Sequence, residues 1–139
     1  MSTDDGPLRT VPALRITAPG RRTGRAHTVP VWFAYRDGHL YFLAHARAHS
    51  RGTDWYRNLA AAGTATVTAG DATYRVAHAP FPAGTDPLGA TVALFEAKYG
   101  RDAVAEWYRP TARIPVRARV VGRVRPPVPT PTPAAAPPR

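Results

Sequence analysis

Apolar and polar residues alternate along several short segments of the chain, a pattern typical of antiparallel strands. The clearest hairpin signal begins at Val29–Tyr35, an apolar segment in which Val29, Val31, Phe33 and Tyr35 alternate with Pro30, Trp32 and Ala34. Asp37-Gly38 follows as a two-residue turn, and Leu40–Ala44 returns from it. The pattern therefore predicts a β-hairpin.

Four further segments show strand patterns. A second hairpin is predicted from Thr64–Ala69 and Ala72–His78 across Gly70-Asp71, and a first strand over Ala13–Thr17. A late strand over Arg113–Val121 has alternate apolar residues on one face and arginines on the other. We expect about six antiparallel strands in all.

Helical signals interrupt the strands at two places. Asp54 can cap a short helix that reaches Ala62 and ends at Gly63. Asp86-Pro87 opens a longer helix that ends at Gly100, with one apolar stripe formed by Leu88, Val92, Phe95 and Tyr99. Asp102 opens a further turn or two that reaches Trp107. A mainly β fold with short helices over the ends of an antiparallel barrel is predicted.

The chain of 139 residues suits one domain. Residues 1–12 are polar and are expected to be flexible, so the folded domain is predicted over Ala13–Val124. Arg125–Arg139 contains seven prolines and little that can be buried, which predicts a disordered tail.

Composition excludes several classes of function. Cysteine is absent, and the five histidines include neither an HxH nor an HExxH spacing, so a protein metal site is not expected. No apolar run suits a membrane span or a signal peptide, which favours the cytoplasm. The net charge of +10 comes from scattered arginines without a nucleic-acid-binding motif, so specific nucleic-acid binding is not expected.

The segment Pro19–Pro30 contains the strongest candidate for ligand binding. Its glycine-bounded turn has three arginines, Arg21, Arg22 and Arg25. Guanidinium groups and the N–H groups of a glycine turn suit a phosphate or another oxyanion. Because 18 of the 19 basic residues are arginine, a polar turn could also collect three by chance. Both interpretations stay open at this point.

Four stretches, taken in order, resemble the deazaflavin-dependent nitroreductase family. They are Gly20-Arg21-Arg22-Thr23-Gly24, Val29-Pro30-Val31-Trp32-Phe33, Asp54-Trp55-Tyr56-Arg57-Asn58-Leu59 and Thr111-Ala112-Arg113-Ile114-Pro115-Val116. The resemblance covers about Ala13–Val121. It implies the split β-barrel of flavin reductases and pyridoxamine-phosphate oxidases.

The resemblance also implies coenzyme F-420, a deazaflavin with a phosphodiester and a glutamate tail. The protein would transfer hydride to a small nitro-aromatic, quinone or enone-like acceptor. The implied cofactor contacts are Arg21, Arg22, Thr23, Gly24, Arg25, Pro30, Ala44 and Trp55. The implied substrate pocket is formed by Trp32, Trp107 and Tyr108. His45 stands where the family commonly has a serine, and the implied catalytic role is that of a hydrogen-bond donor or proton source.

Alternatives to this interpretation stay open. Other split-barrel proteins bind FMN or haem or have no redox cofactor, so a non-catalytic protein that binds a flavin, deazaflavin or haem is the second hypothesis. His45 also fits a half-exposed surface histidine, and Trp55 also fits core packing. The sequence is compatible with a monomer and with a homodimer.

Overall fold

The computed structural model describes residues 5–46, 54–108 and 112–124, which form seven strands and four helices. The strands are β1 (Ala13–Pro19), β2 (Ala26–Trp32), β3 (Ala34–Arg36), β4 (His39–Ala46), β5 (Thr64–Ala69), β6 (Ala72–His78) and β7 (Ala112–Val124). The helices are α1 (Gly6–Thr10), α2 (Asp54–Ala62), α3 (Pro87–Tyr99) and α4 (Arg101–Tyr108). The prediction of a mainly β fold with short helices is confirmed. The predicted tail, residues 125–139, lies outside the described residues.

All seven strands form one antiparallel sheet in the order β2-β1-β5-β6-β7-β4-β3. Its two edge strands, β2 and β3, are consecutive in the chain and are joined by Phe33 alone. The segment predicted as one strand therefore changes partner at Phe33, pairing with β1 before it and with β4 after it. This change of partner explains why there are seven strands where about six were expected.

The sheet is open beside this corner. β3 pairs with β4 only over His39–Tyr41, whereas β4 continues to Ala46. Within the described ranges no strand pairs with the outer edge of β2, nor with Phe42–Ala46 of β4 on that side. We call the opening between these two edges the split.

Two apolar clusters stabilise the fold. The larger one lies on the inner face of the sheet and contains Phe42 and Tyr74 together with Trp55 and Leu59 of α2. The smaller one lies on the outer face, where α3 and α4 cover the strands near the corner (Ala34, Leu43, Phe95 and Val104). Both faces of the sheet near the corner are therefore covered. This arrangement explains why Trp32 and Ala34, which lie on the outer face, are apolar.

Residues 1–12 are predicted to be flexible, and their described part, residues 5–12, contains ordered secondary structure. A short helix forms there, and its Leu8 is only 1% exposed within the inner-face cluster. Arg9 Nη2 lies 2.9 Å from the Asp5 carboxylate and forms a salt bridge along the same segment. One leucine in an otherwise polar stretch is enough to anchor it, because burying its side chain stabilises by about 1.5–3 kcal/mol.

The helix ends follow the sequence signals, but one buried face differs from the prediction. The Asp86 side chain accepts from Gly89 N at 3.1 Å, and Gly100 ends α3 with φ 95°. Leu88 of the predicted stripe is exposed, whereas Thr91 is fully buried. Thr91 tolerates burial because its hydroxyl donates to Pro87 O at 2.7 Å. The cap predicted for the Asp54 side chain lies outside the described residues.

Candidate functional site

The turn between β1 and β2, Gly20–Arg25, is closed by its own backbone; we call it the arginine turn. Gly20 N donates to Arg25 O at 2.7 Å, and Gly24 N donates to Gly20 O at 2.8 Å. Arg25 N donates to Thr23 Oγ1 at 3.2 Å. These N–H groups are therefore used inside the protein, and any anion held here depends mainly on the guanidinium groups.

Asn58 of α2 connects the arginine turn to the barrel. Its side chain is buried, and its Oδ1 accepts from Arg21 N at 3.2 Å and from Arg21 Nη1 at 2.9 Å. Sequence analysis gave Asn58 no part in binding. The only signal was its place in the Trp55–Leu59 stretch, because a contact between residues 37 positions apart leaves no local pattern.

The other two arginines of the turn extend into solvent. Arg22 and Arg25 are exposed, and neither forms a salt bridge within the described part of the chain. A shallow groove of about 290 Å³ begins beside the turn, and its lining includes Pro19, Ala26 and Arg75. This end of the sheet therefore presents uncompensated positive charge, which suits an anionic group.

The outer face of the edge strand β2 runs from the arginine turn to the barrel corner. Thr28, Pro30 and Trp32 lie along this face, and the strand covers about 20 Å at about 3.3 Å per residue. Pro30 is exposed and sits on an edge strand, where its missing N–H does not interrupt the sheet. The face therefore forms one continuous surface for an elongated ligand.

At the corner, three aromatic side chains form a ring stack: Trp32, Tyr99 and Trp107. The Trp32 ring lies 4.1 Å from Tyr99 and 5.2 Å from Trp107, with interplanar angles of 14° and 16°. Trp107 remains 52% exposed. The structure therefore brings together two of the three residues predicted for a substrate pocket. The side chain of the third, Tyr108, lies outside the described residues.

The last turn of α3 adds two polar groups that the sequence did not predict for the site. The Tyr99 hydroxyl accepts from Phe33 N at 3.0 Å and donates to Pro12 O. The Lys98 ammonium donates to Phe33 O at 2.8 Å. Burial raises the pKa of Tyr99 to about 12 and lowers the pKa of Lys98 to about 8. Lys98 as a whole residue is exposed, and its ammonium lies 3.5 Å from the centroid of the Phe33 ring.

Three other predicted site residues lie at the split or behind it. Trp55 and Ala44 are buried in the inner-face cluster, and Trp55 packs edge-on against Phe42 at 5.2 Å. Their packing fits a supporting wall, and a direct cofactor contact stays a prediction. The backbone of His45 pairs with Arg113 near the end of β4, and its side chain lies outside the described residues.

Comparison with known proteins identifies the family. A family model described as F420H(2)-dependent quinone reductase matches residues 3–100, most of the chain. The chain belongs to this family. It is therefore an oxidoreductase that uses reduced F-420, and the resemblance inferred from the four sequence stretches is confirmed. A search of curated proteins finds no match.

Solved structures support the split-barrel fold. A structure named F420-H2 Dependent Reductase (FDR-A) is 20% identical, with a TM-score of 0.54, and the match covers 78% of this chain and 93% of that one. A structure named F420 Reductase is 17% identical, with a TM-score of 0.51, and the match covers 86% of this chain and 94% of that one. The heme storage protein HutZ from Vibrio cholerae is 10% identical, with a TM-score of 0.58, and the match covers 91% of this chain and 93% of that one. At these identities the likeness concerns the fold.

The helices of the family member described here are short. The longest in the described ranges, α3, has 13 residues, and none of them has the length and apolar character needed to cross a membrane.

Proposed function

We propose that this protein transfers hydride from reduced F-420 to a small planar acceptor of the quinone class. The observation that supports it most strongly is the arrangement along β2. Positive charge lies at one end of its outer face, and a stack of aromatic rings lies about 20 Å away at the other. Family membership favours this reductase over a non-catalytic flavin- or haem-binding protein.

The residues of the arginine turn fit the anionic part of the cofactor. Arg22 and Arg25 have no carboxylate partner in the described ranges, so a phosphodiester or a glutamate tail would supply the missing negative charge. Asn58 holds Arg21 in place, so that the Arg21 side chain loses little conformational freedom on binding. The backbone N–H groups contribute less than sequence analysis expected, because most are already bonded.

The split is the place that we propose for the cofactor ring. Its two edges are the outer edge of β2, with Pro30, and the last residues of β4, with Ala44 and His45. Trp55 lies behind Phe42 and gives the floor of this region its rigidity. A planar ring suits an opening between two strand edges whose walls are apolar.

The side chains mainly bind and orient the reactants and are not themselves oxidised or reduced. When bound, reduced F-420 supplies the hydride. Trp107, the exposed ring of the stack, holds the acceptor by stacking, and Trp32 supports it from behind. The inner-face cluster excludes water from the other side of the sheet. His45 donates a hydrogen bond or a proton to the oxygen on which negative charge develops.

An assay of reduced F-420 with menadione, a small naphthoquinone, tests this proposal. We expect oxidation of reduced F-420, followed by the return of its absorbance, and much slower turnover when reduced FMN replaces it. His45→Ala should lower turnover by roughly 10²–10⁴-fold with little change in F-420 affinity. His39→Ala, at the start of β4 beside the Asp37-Gly38 turn, is the matched control and should behave like the parent. No oxidation with any small quinone would contradict the proposal. Parent-like turnover of His45→Ala would remove His45 from it.

A further inference from the structure

The barrel corner leaves the backbone N–H and C=O of one buried residue, Phe33, without a partner in the sheet. The β2 pairing with β1 ends at Trp32, and the β3 pairing with β4 begins at Ala34, so Phe33 belongs to neither ladder. Phe33 is completely buried. A buried N–H or C=O costs free energy unless it is hydrogen-bonded, so this corner needs donors and acceptors from elsewhere.

The last turn of α3 supplies both. The Lys98 ammonium donates to Phe33 O at 2.8 Å, and the Tyr99 hydroxyl accepts from Phe33 N at 3.0 Å and lies at 3.0 Å from Phe33 O as a second, longer donor. Lys98 Nζ also lies 3.5 Å from the centroid of the Phe33 ring and 5.1 Å from that of Tyr99. The ammonium therefore sits between a carbonyl oxygen and two ring faces, each of which attracts a cation.

The identity of this residue stands out against the rest of the chain. Lys98 is the single lysine among 19 basic residues. An ammonium is a compact point charge with three donors, whereas a guanidinium is a planar fork that suits carboxylates and phosphates. One carbonyl oxygen beside an aromatic ring suits the compact ammonium better than a guanidinium. The corner therefore uses a property of lysine that arginine lacks.

The same contacts connect the corner to the ring stack. Trp32 directly precedes Phe33, and its ring stacks on Tyr99, the residue that follows Lys98. Moving the Phe33 peptide would therefore turn the Trp32 ring relative to Tyr99 and Trp107.

We propose that Lys98 is a positioning residue: by holding the Phe33 peptide at the barrel corner, it fixes the Trp32 ring in the stack that receives the acceptor. The positioning of Trp32 by Lys98 does not depend on the proposed function. The link between the ring stack and the acceptor rests on the proposed function.

Three variants of the full chain test the proposal. Lys98→Met keeps an unbranched apolar stem and removes the donors and the charge. Lys98→Arg keeps a cation with N–H donors. Arg101→Met removes one exposed positive charge from the next helix and is the matched control. If Lys98→Met does not fold, Lys98→Gln, which keeps an N–H donor without charge, takes its place. Each variant is measured for near-ultraviolet circular dichroism of its tryptophans, for F-420 affinity, and for kcat and KM with menadione.

We expect the tryptophan signal of Lys98→Met to change and its KM for menadione to rise about tenfold, with kcat and F-420 affinity within about threefold of the parent. Arg101→Met should resemble the parent, and Lys98→Arg should lie between the parent and Lys98→Met, because the planar guanidinium keeps N–H donors but fits the corner less well than the compact ammonium. An unchanged tryptophan signal in Lys98→Met would overturn the positioning role, whatever the function. A changed signal with an unchanged KM would support the positioning of Trp32 and instead contradict the placement of the acceptor on the stack.

Discussion

Asn58 shows how one buried side chain can set the geometry of a charged turn. Its Oδ1 accepts two hydrogen bonds from Arg21, one from the backbone and one from the guanidinium. We expect Asn58→Ala to lower the free energy of unfolding by about 1 kcal/mol, because water can replace the lost acceptor only in part. Urea denaturation measures this change.

Asn58→Asp separates geometry from charge at the same position. The carboxylate keeps the acceptor for Arg21, so the free energy of unfolding should stay closer to that of the parent than in Asn58→Ala. Its negative charge offsets part of the positive charge of the arginine turn, so F-420 should bind more weakly. Parent-like F-420 affinity in this variant would show that the charge of the turn is not used for binding.

Only some of the individual residues of the site could be predicted from the sequence. Arg21, Arg22 and Arg25 could be predicted because local glycines and repeated arginines mark a turn. The contacts of Asn58, Lys98 and Tyr99 could not, because each joins residues that are 37 to 87 positions apart. Their partners are mostly backbone atoms, which have no sequence signature.

At the scale of elements, hairpins and helix ends were the most predictable features. The strands Thr64–Ala69 and Ala72–His78 have the bounds that the turn at Gly70-Asp71 predicts. The corner at Phe33 was not predicted, because alternation of apolar residues continues across it unchanged. Alternation reports which face a side chain occupies, and it does not report which strand is the partner.

Gly100 separates α3 from α4 and provides a test at this scale. Its φ of 95° and ψ of 147° belong to a region that residues with a Cβ rarely adopt. We expect Gly100→Ala to lower the free energy of unfolding by about 1–3 kcal/mol. Gly122→Ala, in β7 with open space around its Cβ position and no positive φ, is the control and should be nearly neutral. Equal stability of both variants would show that the junction between α3 and α4 is unstrained.

For the whole molecule, the two titratable groups at the corner, Lys98 and Tyr99, make stability depend on pH. The pKa of Lys98 is lowered by burial from 10.5 to about 8, so between these pH values the unfolded chain binds more protons at Lys98 than the folded protein. Its contribution to stability therefore rises with pH across this range. The pKa of Tyr99 is raised by burial from 10.0 to about 12, so its contribution falls as pH rises from 10 to 12.

Melting temperatures of the parent and of Lys98→Met, measured below pH 8 and near pH 10, give the contribution of Lys98 to the pH dependence of stability. The parent should gain stability relative to the variant as pH rises, because only the parent is relieved of a buried charge. A constant difference between the two proteins would show that the ammonium is solvated in the folded state.

Equilibrium titration with F-420 tests the central claim most directly. The double variant Arg22→Ala/Arg25→Ala is compared with Arg101→Ala/Arg119→Ala, which removes the same charge from exposed positions elsewhere. The first should bind F-420 at least tenfold more weakly than the parent, because a charge-assisted hydrogen bond contributes about 1.5–3 kcal/mol and about 1.4 kcal/mol is a factor of ten. The second should stay within about twofold of the parent. Equal affinities of the two double variants would contradict a cofactor site at the arginine turn.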